Sequence, residues 1–334
     1  MDLREIRDWL YGIWIATEIR KFHEMGGKVV MIVGSYGKTS VKELTYDLLR
    51  HKYNTVETAR NYNTVVGIAK TLYYEVGPET RLLILEVGAY RVGEITRFCK
   101  ILKPDIGVLT GIARQHLERF GSFEKIIEAK TEIVRYLAAT NGLLIANESD
   151  QTVKQAVDKA IWYSGSDQNS INQNAAKSVA LELYMSEEEI RERVKYFRQI
   201  PSRFEYSDDR YGMKVIDDSY NSNEKTFLSA VSYLGKQKKY TRILITPGIL
   251  ELGDQSNKVH EGLGKHLISN ADLVILVGKN ERTKYLAKGI NKKIKIIWID
   301  KTLQFIKVVK DLKLKKEPLV LIENDVPELQ PPGL

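Results

Sequence analysis

Residues Val29 to Arg50 leave this chain few choices of fold. Val29-Val30-Met31-Ile32-Val33 is an unbroken apolar run, the pattern of a strand buried on both faces of a parallel sheet. It leads directly into Gly34-Ser35-Tyr36-Gly37-Lys38-Thr39-Ser40, and Val41 to Arg50 then has the pattern of a helix. Glycines let backbone N–H groups close around phosphates, and a helix N-terminus adds partial positive charge. Lys38 is long enough to reach the outer phosphates, and the Thr39 hydroxyl is placed to hold Mg²⁺. An ordinary glycine turn is the bland alternative, but strand, loop, Lys, Thr and helix all occur in order. The loop is short: two residues separate Gly34 from Gly37, where the common phosphate loop has four.

The rest of the chain extends the same architecture. Strand-like runs at Lys28–Val33, Leu82–Val87, Ile106–Thr110 and Gly142–Ala146 alternate with helical patterns, among them Ser40–Arg50 and Ser122–Ala139. Ser186 followed by Glu187, Glu188 and Glu189 starts another helix. The pattern breaks near Ile200-Pro201-Ser202-Arg203, and a second series begins. Its strands are Lys214–Asp217, Arg242–Thr246, Leu273–Val277, Lys295–Ile299 and Leu319–Glu323. Its helices are Glu224–Leu234, Lys258–Ser269, Arg282–Gly289 and Leu303–Leu312. Alternation of this kind predicts parallel sheets covered by helices. The expected class is α/β: a phosphate-loop parallel-sheet ATPase domain over 28–202, then a smaller Rossmann-like domain over 203–334. Residues 1–27 precede both as an amphipathic helix, and the tail Val326–Leu334 is expected to be irregular.

At 334 residues the chain can bury two cores. Lys and Arg number 51 against 43 Asp and Glu. That excess suits anionic ligands and equally suits a lysine-rich surface. No basic stripe interleaved with aromatics occurs, so a nucleic-acid partner is not expected. The single Cys99 excludes an internal disulfide framework and fits a reducing cytoplasm. No run is long and apolar enough to span a membrane, and the charged start lacks a processing site. The segment from Ile6 to Phe22 carries Trp9, Leu10, Ile13, Trp14, Ile15 and Ile19, with Arg4, Arg7, Arg20 and Lys21 at its ends. Two readings stand: a helix packed on the first domain, or one lying on a membrane surface or protein partner.

Further polar residues fall at strand ends, where open parallel sheets gather ligands. Glu86 closes an apolar strand and would sit beside the phosphate loop, well placed to hold Mg²⁺ directly or through water. His116 lies just past another strand end. Lys130, taken alone, reads as a solvent-facing helical lysine. Asp217-Asp218-Ser219-Tyr220-Asn221-Ser222-Asn223 is a polar cluster at a third strand end, suited to a solvated turn or to a ligand.

Read in order, these segments resemble the Mur ligases. The likeness runs through Gly34-Ser-Tyr-Gly-Lys-Thr-Ser40, Asn61-Tyr62-Asn63 with Gly67, Leu85-Glu86-Val87-Gly88-Ala89 with Gly93-Glu94-Ile95, and Pro104-Asp105. It continues through His116-Leu117, Phe120-Gly121-Ser122, Ala129-Lys130, Asn147, Asn172 with Ala175-Ala176, and Pro201-Ser202-Arg203-Phe204-Glu205. The Asp217–Asn223 run and Pro247-Gly248-Ile249-Leu250-Glu251-Leu252-Gly253 with His260 complete it. Tyr220-Asn221 and Glu251-Leu252-Gly253 look most like the branch joining D-alanyl-D-alanine to the UDP-muramoyl tripeptide.

The resemblance implies a cytoplasmic, ATP-dependent amide ligase. A carboxylate would attack the γ-phosphate of ATP, and an amino acid or D-Ala-D-Ala-like dipeptide would then attack the acyl phosphate. Lys38 would contact the β- and γ-phosphates, with Gly34, Ser35, Gly37 and Ser40 cradling them. Thr39 and Glu86 would hold one Mg²⁺, and His116 a second. Lys130 matches the lysine that is carbamylated in the family. Asn172 would touch adenine, Arg203 the phosphates and Asp218 the ribose. Asn61, Asn63, Tyr220, Asn221 and Asn223 would meet the other substrates.

Three departures accompany the likeness. The family's N-terminal domain, which grips the UDP end of its substrate, has no counterpart before residue 28. Either the acceptor, a small-molecule or UDP- or lipid-linked muramoyl peptide, is held another way, or a partner supplies the missing part, or the acceptor is not a UDP-sugar; residues 6–22 would place the protein at the inner membrane face or on a protein partner. Asn147 and Asn172 are close together where the family has several strands, and Gln168 and Asn169 stand where a His is usual. Finally, Glu323-Asn324-Asp325 replaces the Lys-Gly-Ser found in many members. Two other readings therefore remain: the same ligation on a cofactor or polyglutamate-type carboxylate, and a nucleotide-binding paralogue without activity.

Overall fold

The computed structural model describes residues 3–59, 62–197, 204–219 and 222–324. The chain divides into two compact units, one of Met1–Ala113 with Arg119–Arg198, the other of Arg114–Glu118 with Gln199–Leu334.

The first unit opens with helix α1 (Leu3–Glu24) and strand β1 (Lys28–Val33). Then come α2 (Lys38–Leu49), β2 (Thr55–Glu57), α3 (Val65–Glu75), β3 (Leu82–Glu86), α4 (Glu94–Leu102) and β4 (Ile106–Leu109). A short α5 (Leu117–Phe120) leads to α6 (Phe123–Thr140), β5 (Leu143–Asn147), α7 (Gln151–Ala156), β6 (Ile161–Tyr163), α8 (Gln168–Glu182) and α9 (Glu187–Val194). The sheet order is β2-β3-β1-β4-β5-β6, parallel throughout. The central strands are apolar because helices cover both faces: β1 beyond Lys28 and all of β3 are buried.

Helix α1 packs along α3 and α4 and buries Ile15, Ile19 and Phe22. Its other face leaves Ile6, Trp9, Leu10 and Ile13 exposed. One stripe therefore meets the packed reading, while the other stays open to solvent in the unit as described. Among the described residues no helix is long and apolar enough to cross a membrane.

The second unit begins with β7 (Glu205–Arg210), antiparallel to β8 (Met213–Asp218). It continues with α10 (Glu224–Lys236), β9 (Thr241–Thr246), α11 (Ser256–Asn270), β10 (Leu273–Val277), α12 (Glu281–Ile290), β11 (Lys295–Ile299), α13 (Gln304–Asp311) and β12 (Pro318–Glu323). The order is β11-β10-β9-β12-β8-β7, parallel except at β7. Phe227 and Leu234 anchor the core on one side of this sheet, and Phe305 and Val309 the core on the other.

The expected strands and helices are present, most with boundaries moved by one or two residues. The structure adds β2, β6 and β7. Only β6 lies between Asn147 and Asn172, so the shortening read in the sequence leaves one strand there, at the sheet edge. The expected irregular tail, Val326–Leu334, lies outside the described residues.

Candidate nucleotide and metal site

The phosphate loop is shaped by close backbone approach. Gly34 has φ +152°, and a Cβ there would stand 2.2 Å from Thr110 Oγ1. Gly37 has φ +78° and would press a Cβ to 3.0 Å from Asn172 Oδ1. Larger residues at either position would close the cradle. Gly37 is also the N-cap of α2 and brings no side-chain cap. Gly37 thus offers no side-chain acceptor to the first N–H groups of that twelve-residue helix, which suits an anion site. Ser35 N–H donates to Gly111 O at 2.7 Å, tying the loop to the end of β4. Lys38 Nζ lies 3.5 Å from Ser35 O, and Ser40 is buried in the first turn of α2.

Glu86 ends β3 in register with Ile32 of β1, which places its carboxylate next to the loop. Thr39 Oγ1 donates to Glu86 Oε2 at 2.8 Å, and Asn63 Nδ2 lies 3.5 Å from Glu86 Oε1. A hydroxyl and a carboxylate in contact beside a phosphate cradle are the donors Mg²⁺ takes when phosphate oxygens and water complete its shell. Among the described residues no three His, Cys, Asp or Glu side chains gather into a metal-binding group. An ion here would therefore need those phosphate oxygens.

Lys130 is buried on α6, not solvent-facing as its type alone suggests. Its Nζ donates to Ala89 O at 3.1 Å. Burial, followed by the positive charge of Lys38, brings its pKa down to about 7. The carboxylates of Glu94 and Glu132 oppose that fall. The amine is thus substantially neutral near neutral pH, and only a neutral amine can add to CO₂.

Asn172, on α8, accepts from Gln168 Nε2 at 2.9 Å, so both amides stand together beside Gly37. The first unit therefore brings Gly34, Ser35, Gly37, Lys38, Thr39, Ser40, Asn63, Glu86, Lys130 and Asn172 into one neighbourhood.

The second unit holds His116, Asp218 and Asn223. His116 has φ +56°, and its Nδ1 meets the carboxylate of Glu251. Asp218 Oδ1 accepts from Phe204 N–H at 3.0 Å. Asn223 caps α10 through Oδ1, which accepts from Lys225 N–H at 3.0 Å, while its buried Nδ2 has no partner among the described residues. Its first task is structural, and only the amide nitrogen remains for a ligand. Asn61, Arg203, Tyr220 and Asn221 lie outside the described residues.

Several neighbours escape sequence reading. Lys42 is almost fully buried, with Nζ 2.6 Å from Thr58 O and 3.3 Å from Glu57 Oε2. Thr58 Oγ1 in turn accepts from Glu86 N–H at 3.0 Å. The available signal was its spacing with Thr45 and Leu49, both buried on the same helix face. Glu323, next to Asp218 in the sheet, is fully buried and is pushed up by burial and then by the Asp218 charge. Nothing local in the sequence signals that pairing.

The family model described as "Mur ligase middle domain" matches residues 32–204, and that described as "Mur ligase, glutamate ligase domain" matches 202–323. The UDP-N-acetylmuramoyl-tripeptide–D-alanyl-D-alanine ligase of Escherichia coli is 27% identical over 313 residues, 80% of this chain and 68% of its own length. That of Bacillus subtilis is 24% identical over 276 residues, covering 72% of this chain and 60% of its own length. The crystal structure of MurF from Thermotoga maritima in complex with ADP superposes with a TM-score of 0.81 at 23% identity. That match covers 96% of this chain and 81% of the MurF chain, and it shows the shared fold. With two family domains in succession, and a phosphate loop, a strand-end carboxylate and a buried lysine where the first of them folds, the chain belongs to the Mur ligase family.

Proposed function

We propose that this protein is an ATP-dependent ligase that joins an amino acid or a D-Ala-D-Ala-like dipeptide to a carboxylate of a peptidoglycan precursor. The observation that carries the reading is the Thr39–Glu86 contact under the uncapped N-terminus of α2, with neutralisable Lys130 nearby. A carboxylate is a poor electrophile at neutral pH. Its oxygen attacks the γ-phosphorus of ATP, the bond to the β-phosphate oxygen breaks, and ADP departs. The amine nitrogen then attacks the acyl-phosphate carbon, loses a proton, and inorganic phosphate leaves with the C–O bonding pair. Positioning and charge neutralisation supply most of the rate in such phosphoryl transfers.

The loop N–H groups and Ser35 and Ser40 cradle the phosphates, and Lys38 neutralises the β- and γ-phosphates. Thr39 and Glu86 would hold Mg²⁺, which would draw charge from the phosphate oxygens. His116, oriented through Nδ1 by Glu251, is assigned to a second ion. A carbamylated Lys130 would present a carboxylate-like group able to support the Mg²⁺ site. Asn172 is assigned to adenine, Asp218 to ribose and Arg203 to phosphate. Asn61 and Asn63 are assigned to substrate, and Tyr220, Asn221 and Asn223 to the amine side. A cytoplasmic reaction is in keeping with this use of ATP. The exposed Ile6, Trp9, Leu10 and Ile13 support a peripheral contact with a membrane surface or protein partner through residues 6–22.

One observation favours a second reading of the substrates. Where many members carry Lys-Gly, this chain buries Glu323, followed by Asn324. Loss of a positive charge beside Asp218 favours a different amine, or a carboxylate outside the cell wall, with the same chemistry. The test is phosphate release from ATP and Mg²⁺ with paired muramoyl peptides and amines, the condensed product being identified by mass spectrometry. Release that requires both partners is expected. ATP binding without release across the panel would overturn the ligase reading in favour of a nucleotide-binding paralogue.

A further inference from the structure

Tyr36 stands inside the phosphate loop, yet its ring points away from the phosphate cradle and into the domain. A Cβ on Gly111 would come within 2.3 Å of Tyr36 Cζ and 2.6 Å of Cε1, so the ring lies directly on the Gly111 backbone. Tyr36 OH donates to Asp150 Oδ2 at 2.5 Å. Its carbonyl accepts from Thr110 Oγ1, also at 2.5 Å.

Asp150 is only 2% exposed and serves three segments at once. Oδ1 accepts from Thr152 and Val153 N–H at 2.9 and 3.2 Å, capping α7, while Oδ2 accepts from Ile112 N–H at 3.0 Å as well as from Tyr36. One carboxylate thus joins the loop after β1, the segment after β4 and the turn after β5. Just upstream, Asn147 Nδ2 donates to Thr110 O at 2.8 Å and reinforces the same junction. Burial and the adjoining Asp150 charge push the Tyr36 phenol far up, so it remains a donor.

A loop with only two residues between its glycines has little slack. Its shape must be held from behind, because the glycines that let it approach phosphate also let it collapse. We propose that Tyr36 and Asp150 form a positioning pair that holds the phosphate loop in its nucleotide-receiving shape before the nucleotide arrives. This rests on the loop being the ATP site of the proposed ligase. The pair acts on the cost of ordering the loop, so it governs nucleotide affinity more than the chemical step.

The test uses the full chain with Tyr36→Phe, Asp150→Ser and both together. Serine keeps a cap on α7 but is too short to reach the phenol. Hydrogen exchange is followed on nucleotide-free protein for peptides covering residues 33–41, and ADP with Mg²⁺ is titrated by calorimetry. Tyr36→Phe should speed loop exchange and weaken ADP about fivefold or more, as loss of a hydrogen bond to a charged group does. The KM for ATP should rise while kcat at saturating ATP stays near the parent value. The double variant should weaken ADP no more than the worse single one, because both changes break one link. Unchanged loop exchange and ADP affinity in Tyr36→Phe would overturn the proposal, as would additive losses. Should Asp150→Ser not fold, Tyr36→Phe decides alone. A parent protein that binds ADP but does not ligate would sink the proposed reaction and leave the loop measurements to judge this pair.

Discussion

Replacing Lys130 by methionine should stabilise the protein at neutral pH, although it removes a hydrogen bond. Lys130 is fully buried, and its pKa falls from an ordinary 10.5 to about 7. An unfolded chain takes up the proton below 10.5 and the folded one resists it until about 7. Protons therefore favour the unfolded state across that window, and the penalty on folding grows as pH falls, becoming complete below 7. At about 1.4 kcal/mol per pH unit, this amounts to roughly 4 kcal/mol at pH 7, about 2 at pH 9, and almost nothing above 10.5. Methionine avoids the penalty but leaves Ala89 O without its donor, at a cost of about 1–3 kcal/mol. The variant should accordingly be more stable by about 1–3 kcal/mol at pH 7 and lose that advantage between about pH 8 and 10. Urea unfolding in CO₂-free buffer at steps from pH 6.5 to 9.5, followed by far-UV circular dichroism, measures the difference. A stability difference that stays flat within about 1 kcal/mol over that range would refute the reasoning. The same neutral amine should give a carbamate signal in ¹³C NMR with labelled bicarbonate, absent from the methionine variant.

Two further outcomes follow from the geometry. Glu86→Gln should keep the fold but weaken Mg²⁺-dependent ADP binding about tenfold or more in calorimetry, because the amide gives up the charge that draws the ion; Mg²⁺-independent ADP binding should hardly change, and an equal loss with and without Mg²⁺ would remove Glu86 from the metal site. Asn223→Ala should cost about 1 kcal/mol of stability by uncapping α10, whereas Asn223→Asp should restore the cap and, if Nδ2 meets the amine substrate, still raise its KM. Recovery of both by aspartate would leave Asn223 a capping residue only.

Legibility in the sequence followed the range of each interaction. The central strands β1, β3 and β9 were readable because helices cover both faces and force continuous apolar runs. By contrast, β2 and β6 are three residues long, too short for any period, and β7 is Glu-Tyr-Ser-Asp-Asp-Arg, a polar edge strand held by pairing with β8. The phosphate loop was legible because its parts are contiguous, and Glu86 because it ends an apolar strand. Lys130 was not, since what distinguishes it from a surface lysine is Ala89, forty-one residues away in the chain, and Lys38 beyond that. Tyr36 and Asp150 are separated by 114 residues. Neither residue type announces a phosphate loop held from behind, and only the fold brings them together.

The two lysines near the loop cannot play the same part. Lys38 extends from the open N-terminus of α2, where phosphate charge can compensate it, and it stays close to Ser35 O. Lys130 is enclosed, and the charge of Lys38 adds to the burial that disfavours its own. Two ammonium groups at this end of the sheet would repel, and a neutral Lys130 removes that repulsion. A carbamate would go further and turn it into attraction, both toward Lys38 and toward a divalent ion. Burial therefore does more than silence Lys130: it makes the amine available to CO₂, and the Lys38 charge, acting against Glu94, Glu132 and burial itself, is what would favour the resulting anion. The methionine profile tests the first half of that argument and the carbamate signal the second, so a failure of either can be assigned to its own step.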